Sequence, residues 1–518
     1  MKKLEYDPLI NLLPALKSKN SSNYYDNLKK SLSGLEKESI RLDENNNISK
    51  TSHNYFFGSS LCNSFFTTDF AESQIEFVTP PNDTESTLEF LKSSHHFAYR
   101  LLKNEYLWPL SMPPVFEESE LAIASFGTSN QAKFKEVYRK GLSIKYGKMI
   151  QAISGVHFNY SFNEEFLLDL SKYMRVDYSK DFRSYIYFRT IRNFQRINWL
   201  LLFLLGASPF FSKKHDTKHE SYDSKKDYLF LPYATSFRMS DIGYQNSEQS
   251  NLHVLMNDLE EYVDNIRQIT QSKIYQYNKN DPDENIEPAI LNGKLLIEDE
   301  HYGVIRPKSS SSQIRRNSHN LQNNGIDYLE IRSVDIDPFS LIGVDLSSLE
   351  FIKAIILYCA LSPSPVNDLE SIRENKLNEK KVSVSGRKPE LKLTKDGAEV
   401  SMMSWATSII DQIKVLYDIL GYDFKELEKY EGMINNPDKT PSSMILKEIL
   451  ESNLTLNDFG REIGMKSKSY FLSQKIDENK NWKLFELEKI KSTQRQAQIE
   501  SKKSLDFFSF MDSYYEGK

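Results

Sequence analysis

The sequence predicts an α+β fold, and three observations carry that prediction. Four short segments alternate with period two, each bearing Glu, Asp, His or Arg on one face. Long stretches with helical spacing run between them, and beyond Pro338 the pattern is almost wholly helical. Antiparallel sheets tolerate two unlike faces, so the four segments fit one such sheet, with a core on one side and a charged site on the other.

In chain order, residues 5–33 read as one or two amphipathic helices. Residues 34–42, Gly-Leu-Glu-Lys-Glu-Ser-Ile-Arg-Leu, form the first strand, with Glu36 and Glu38 on the face shared by Ile40 and Leu42. Two carboxylates about 7 Å apart repel, and burying them costs several kcal/mol without a compensating cation. In the strand expected at 69–78, Glu72, Gln74 and Glu76 share one face and Ser73, Ile75 and Phe77 the other. Residues 86–103 read helical and lead into a turn at Trp108-Pro109. A mixed basic and aromatic helix is expected at 133–146; its Tyr138 and Arg139 taken alone would pass for a surface aromatic and a charged neighbour. In 153–162, His157, Asn159 and Ser161 alternate with Val156, Phe158, Tyr160 and Phe162. Residues 181–205 predict a long helix ending at Gly206, its later half buried. The run 213–227 is too polar for its His215 and His219 to suggest more than a solvated loop.

Residues 232–246, with Arg238 and Tyr244, lack periodicity, and 250–268 predicts an amphipathic helix. Residues 276–288, rich in Asn, Asp and Pro, predict a loop. In 301–308, Tyr302, Val304, Arg306 and Lys308 share one face, where the two cations could meet phosphate oxygens. Residues 309–325 open with four serines, then carry Arg315 and Arg316, and read as a flap or surface loop. The strand at 328–334 sets Glu330 and Arg332 opposite Leu329, Ile331 and Ser333. Further helices are expected at 347–361, 404–420 (stopped by Gly421), 443–450 and 481–515. The last carries Phe507, Phe508 and Phe510 and is expected to pack back on the chain.

Composition narrows the function. Lys and Arg number 66 against 72 Asp and Glu, a net charge of −6, which argues against a nucleic-acid binder. Two cysteines, Cys62 and Cys359, are too few for a disulfide framework and fit a reducing cytoplasm. The first residues resemble a signal peptide only until Glu5 and Asp7 interrupt them, and the seven apolar residues 199–205 fall far short of a bilayer span of roughly 20. The expectation is a soluble cytoplasmic protein with no obligate protein partner, consistent with a monomer. A solvated strand end would explain one charged strand; four of the same design point to a shared site. Oxygen-rich donors with one imidazole suit Mg²⁺ or Mn²⁺ with a bound phosphate. No Gly-x-x-x-x-Gly-Lys-Ser/Thr loop and no Gly-x-Gly-x-x-Gly after a strand is present, so nucleotide phosphates would be held by metal and side chains.

Several longer motifs then fall into order: Gly-Leu-Glu-Lys-Glu-Ser-Ile-Arg (34–41), Thr-Thr-Asp-Phe-Ala-Glu (67–72), Leu-Trp-Pro-Leu-Ser-Met-Pro (107–113), Phe-Gly-Thr-Ser-Asn (126–130), Ile-Ser-Gly-Val-His (153–157), Leu-Pro-Tyr-Ala-Thr-Ser (231–236) and Tyr-Leu-Glu-Ile-Arg-Ser (328–333). Together they resemble the proteobacterial-type glutamate–cysteine ligases, from about residue 30 to about 390. The resemblance implies a glutamine-synthetase-like fold, an antiparallel sheet curled into a funnel with helices outside. It implies ATP-dependent ligation of the glutamate γ-carboxylate to the cysteine amine through γ-glutamyl phosphate. The small-molecule partners implied are glutamate, cysteine and ATP, with Mg²⁺ or Mn²⁺ as the cofactor.

By motif position, Glu36, Glu38, Asp69, Glu76, His157 and Glu330 are the implied metal ligands, with Glu72 at most behind them. Arg332, with Arg306 and Lys308, would meet the phosphates, and Arg238 the glutamate carboxylate. Tyr138, Arg139, Tyr244 and Tyr302 would surround the cysteine. Residues 1–340 would be the catalytic body, and 341–518 a mainly helical portion packed on it. Repulsion of Glu330 by Glu36, Glu38 and Asp69 is expected to make Glu330→Gln harmless to metal-free stability. Two other readings use the same residues: a ligase of this fold joining glutamate to another amine, and a non-catalytic regulatory paralogue.

Overall fold

The structure is a computed structural model. It describes residues 30–215, 222–246, 249, 251–271, 273–277, 286–291, 293–310, 316–421, 423, 425–502 and 505–516. At its centre lies a seven-stranded antiparallel sheet. Its strands are β1 (Leu32–Asp43), β2 (Phe66–Thr68), β3 (Gln74–Val78), β4 (Glu105–Leu107), β5 (Val156–Ser161), β6 (Ile305–Lys308) and β7 (Tyr328–Val334). The order is β6-β7-β5-β1-β3-β2, with β4 paired to the far end of β1. Pro307 has no amide hydrogen to donate, and it sits where that is harmless, on the edge strand β6.

Register turns the alternation into a site. Glu36 lies opposite His157, Glu38 opposite Glu76, Glu330 opposite Asn159, and Arg306 opposite Glu330. Residues directly across a ladder share a face, so these side chains and Arg332 emerge on one side of the sheet. On the other side, Leu35, Ile75, Phe77, Val156, Phe158, Leu329 and Ile331 are buried. That back face is covered by helices α1 (Thr84–Leu101) and α2 (Lys180–Leu205); α2 in turn packs against α3 (Leu346–Leu361) and α4 (Leu369–Ser385). One apolar core runs from Leu35 to Tyr514.

Several expectations change. The back of β1 is not simply apolar: Lys37 and Arg41 are buried there, Arg41 paired with Glu105 at 2.8 Å. The strand expected at 69–78 is a hairpin, with residues 69–73 forming the turn between β2 and β3. Helix α2 is buried along nearly its whole length, not only its later half. The helix expected at 250–268 spans only Leu259–Ile269, because Asp258 caps it by accepting from the Glu261 amide. Short paired strands, Tyr275–Tyr277 and Ile286–Pro288, stand at the ends of the expected loop 276–288. A helix, Asn317–Asn324, occupies part of the expected flap. The terminal helix is two, Trp482–Ser501 and Phe507–Glu516. Most of the helical expectation for 5–33 lies outside the described residues, and its last two positions, Leu32 and Ser33, begin β1.

Candidate active site

The charged face of the sheet forms the floor of a cavity of about 390 Å³. Glu36, Glu38, Asp69, Glu76, His157, Arg306, Lys308, Glu330 and Arg332 all line it, as do Tyr138, Arg139, Tyr244 and Tyr302. Helix Asn130–Tyr146 walls one side, presenting Lys135, Tyr138, Arg139 and Leu142 at i, i+3, i+4 and i+7.

Glu36, His157 and Glu330 converge closely enough to hold one ion, with their ligand atoms within 4.8 Å of one another. His157 Nδ1 lies 3.3 Å from Glu36 Oε2 and 3.6 Å from Glu330 Oε1, and its Nε2 lies 3.7 Å from Glu38 Oε1. Asn159 Nδ2 donates to Glu36 Oε1 at 2.8 Å, and the Gly155 amide donates to Glu38 Oε2 at 2.9 Å. Burial, with Arg332 nearby, holds the His157 imidazole below its ordinary pKa, so it is neutral and able to ligate at pH 7.

The carboxylates divide into two electrostatic classes. Burial alone would raise Glu330, but Lys308, Arg332 and Arg306 outweigh it and hold the carboxyl well below the usual range. Arg332 Nη1 donates to Glu330 Oε1 at 2.6 Å, while Lys308 Nζ and Arg306 Nη1 lie 3.5 and 3.9 Å from Oε2. Glu330 is therefore a paired charge whose three cations outweigh its repulsion of Glu36, which reverses the expectation for its neutralisation. Glu38 is the opposite case: burial and Asp69 push it up to about 8. Burial, then Glu36, Asp69 and Glu38, push Glu76 well above its ordinary value. His157 Nε2 and Glu330 Oε2 are buried and take part in no hydrogen bond. Oxygen donors, one neutral imidazole and a buried imidazole Nε2 without a hydrogen bond fit a divalent cation.

The aromatic residues meet at the other end. Tyr244 and Tyr302 stack with centroids 4.9 Å apart, and Tyr302 Oη is hydrogen-bonded to Gln151. Arg139 is fixed through Nε to the Asp69 carbonyl oxygen at 2.5 Å and through Nη1 to that of Lys135 at 3.2 Å.

Two residues stand elsewhere than the sequence suggests. Arg238 is fully buried and lies behind the cavity wall, not in its lining. Its Nη2 donates to the Arg332 carbonyl oxygen at 2.6 Å, its Nη1 lies 3.7 Å from Asp335, and its guanidinium rests on the Tyr244 ring. Gly155 makes room for it, since a Cβ there would fall 2.2 Å from Nη2. Glu72 points away, its carboxylate accepting from the His53 and Ser125 amides at 2.7 and 3.0 Å. Sequence reasoning missed Lys135, Gln151 and Asp299, which also line the cavity. Helical spacing from Tyr138 and Arg139 would have found Lys135. Gln151 and Asp299 carry no local signal.

Comparison with known proteins agrees with this geometry. The glutamate-cysteine ligase family model matches residues 15–382. The chain is 36% identical over 494 residues to the glutamate–cysteine ligase of Janthinobacterium sp. (strain Marseille), covering 93% of each. It is 36% identical over 502 residues to that of Pseudomonas fluorescens, covering 94% of each. Among solved structures it is similar to the Francisella tularensis glutamate–cysteine ligase in complex with AMP. That match has a TM-score of 0.85 and 27% identity, over 94% of this chain and 98% of that one. In fold alone it is similar to a bifunctional glutathione synthetase from Pasteurella multocida, with a TM-score of 0.71 and 23% identity, over 89% of this chain and 55% of the other. With its acidic sheet face, its ordered motifs and matches of this length, the chain belongs to the glutamate–cysteine ligase family.

Proposed function

We propose that this protein joins the γ-carboxylate of glutamate to the amine of cysteine at the expense of ATP, giving γ-glutamylcysteine, ADP and phosphate, the first step of glutathione synthesis. The observation that carries the reading is the joining of two charge sets on one sheet face. The carboxylates Glu36, Glu38, Asp69, Glu76 and Glu330, with the His157 imidazole, adjoin the cations Arg306, Lys308 and Arg332. Magnesium or manganese held by the acidic set would neutralise phosphate charge and act as a Lewis acid.

The γ-carboxylate attacks the terminal phosphorus of ATP and ADP leaves. The cysteine amine then attacks the acyl carbon, and phosphate departs with one of the original glutamate oxygens. Arg332, oriented by Glu330, meets the charge on the transferred phosphoryl group, and Arg306 and Lys308 hold the chain of phosphates. Arg238 acts through others, fixing the Arg332 main chain and the Tyr244 ring. Tyr138, Arg139, Tyr244 and Tyr302 form the cysteine end.

Among the described residues no helix is long and apolar enough to cross a membrane. The test is ADP release with each component omitted in turn. Turnover requiring glutamate, cysteine and Mg²⁺ together is expected. Equal turnover with ammonia in place of cysteine would mean a different amine. No turnover with any amine, in folded protein that binds ATP, would mean a non-catalytic paralogue.

A further inference from the structure

The cavity has cations at both ends. Arg306, Lys308 and Arg332 stand on β6 and β7 at one edge of the sheet, whereas Lys135 stands on the helix that faces Asp69 and Glu76, near the other. Strands β6 and β3 are four steps apart in the sheet, so at roughly 4.8 Å per step the two ends lie on the order of 15–20 Å from each other. Nucleotide phosphates gathered at the first end leave the second to another anion.

Lys135 is equipped to hold one. Its ammonium lies 4.8 Å from the centre of the Phe126 ring and makes no hydrogen bond or ion pair among the described residues. Arg139, one turn along, rests on the same ring at 4.4 Å but has two of its nitrogens committed to main-chain oxygens. A half-buried ammonium with no hydrogen-bond partner among the described residues, opening on a substrate cavity, is matched by a carboxylate.

We propose that Lys135 binds the α-carboxylate of one of the two amino-acid substrates. This deepens the ligase reading and rests on it. A carboxylate there places the amino acid beside Tyr138, Tyr302 and Gln151, directed towards the acidic face where the acyl phosphate forms.

The test compares each substrate with its analogue lacking that carboxylate: cysteine with cysteamine, and glutamate with γ-aminobutyrate. For the wild type, Lys135→Met and Lys135→Arg, kcat/KM is measured for all four, together with half-saturation by ATP and Mg²⁺. In Lys135→Met the preference for one full amino acid over its analogue should collapse by roughly 10- to 100-fold, the range of a charge-assisted hydrogen bond. Lys135→Arg should retain part of it. Collapse of the cysteine ratio would assign the carboxylate to cysteine, and collapse of the glutamate ratio to glutamate. A merely structural role would lower substrate and analogue alike. Unchanged ratios in an active enzyme would overturn the assignment of Lys135 alone, as would a change confined to Mg²⁺ or ATP saturation, the mark of a residue that only offsets Glu76 and Asp69. A wild type inactive with glutamate and cysteine would overturn the ligase reading and this assignment with it.

Discussion

Replacing Glu330 by Gln removes one buried negative charge from three cations. Glu330 is 2% exposed, bonded to Arg332 at 2.6 Å, and within 3.5 and 3.9 Å of Lys308 and Arg306. Breaking a buried pair by deleting one partner costs about 3–5 kcal/mol. The amide oxygen can still accept from Arg332, so the lower end, about 3 kcal/mol, is expected. Unfolding entropy of about 2.1 cal/mol/K per residue, over 518 residues, makes about 1 kcal/mol equivalent to one degree, and Tm should fall by about 3 °C. The assay is thermal melting in EDTA at pH 7, beside Glu38→Gln. Glu38, pushed up to about 8, is mostly protonated there, so an amide should leave Tm unchanged or raise it. With Mg²⁺ and ATP, both variants should show a smaller ligand-induced shift and turnover lower by orders of magnitude. Glu330→Gln melting at or above the wild type without metal would refute the pairing and restore the repulsion argument.

Other outcomes follow from the same geometry. Arg332→Lys should retain ATP binding but lose at least about tenfold in turnover, because an ammonium cannot reproduce the guanidinium fork; wild-type kcat at saturation would remove Arg332 from the chemistry. The folded pKa of Glu38 lies above the unfolded value of 4.5, so its contribution is complete below about 4.5 and lost as pH rises through about 8. Metal-free Tm should therefore fall across that window, with a flatter profile in Glu38→Gln; identical profiles would contradict the raised carboxyl. Helix Trp482–Ser501 braces the substrate helix: Gln496 donates to the Phe126 carbonyl oxygen at 3.1 Å, and Glu500 accepts from the Thr128 amide at 2.8 Å. Gly127, at φ +109°, gives these side chains room. Replacing both by Ala should raise an amino-acid KM about three- to tenfold and leave that for ATP unchanged; an unchanged amino-acid KM would leave the helix a purely structural role.

The parts of the fold legible in the sequence were those with a strict period. β5 and β7 fall inside their expected segments because each alternates over six or seven residues; Gly421 ends its helix in the left-handed conformation that favours glycine, and Gly206 ends its helix where the Thr235 carbonyl oxygen leaves no room for a Cβ. The hairpin at 69–73 was hidden because Glu72 continues the alternation of Gln74 and Glu76, although its carboxylate accepts from the His53 and Ser125 amides. Helix α4 escaped notice because charged residues crowd its buried stripe of Ile372, Asn375, Glu379 and Val382. Many of the residues that line the cavity were readable from motifs, but their partners were not. That Glu330 rests among three cations depends on β6 pairing with β7, and that Arg238 lies behind the wall depends on Gly155 and Asp335 approaching from distant segments.

The central claim is that the γ-carboxylate of glutamate is phosphorylated on the charged face of the sheet before the amine arrives. Glutamate labelled with ¹⁸O in its γ-carboxylate tests it most directly, with the released phosphate examined by mass spectrometry after turnover with cysteine, ATP and Mg²⁺. One labelled oxygen is predicted in each phosphate, in amounts equal to the γ-glutamylcysteine formed. Phosphate free of label, at the same yield of product, would contradict transfer through an acyl phosphate and with it the roles given to Arg332 and Glu330.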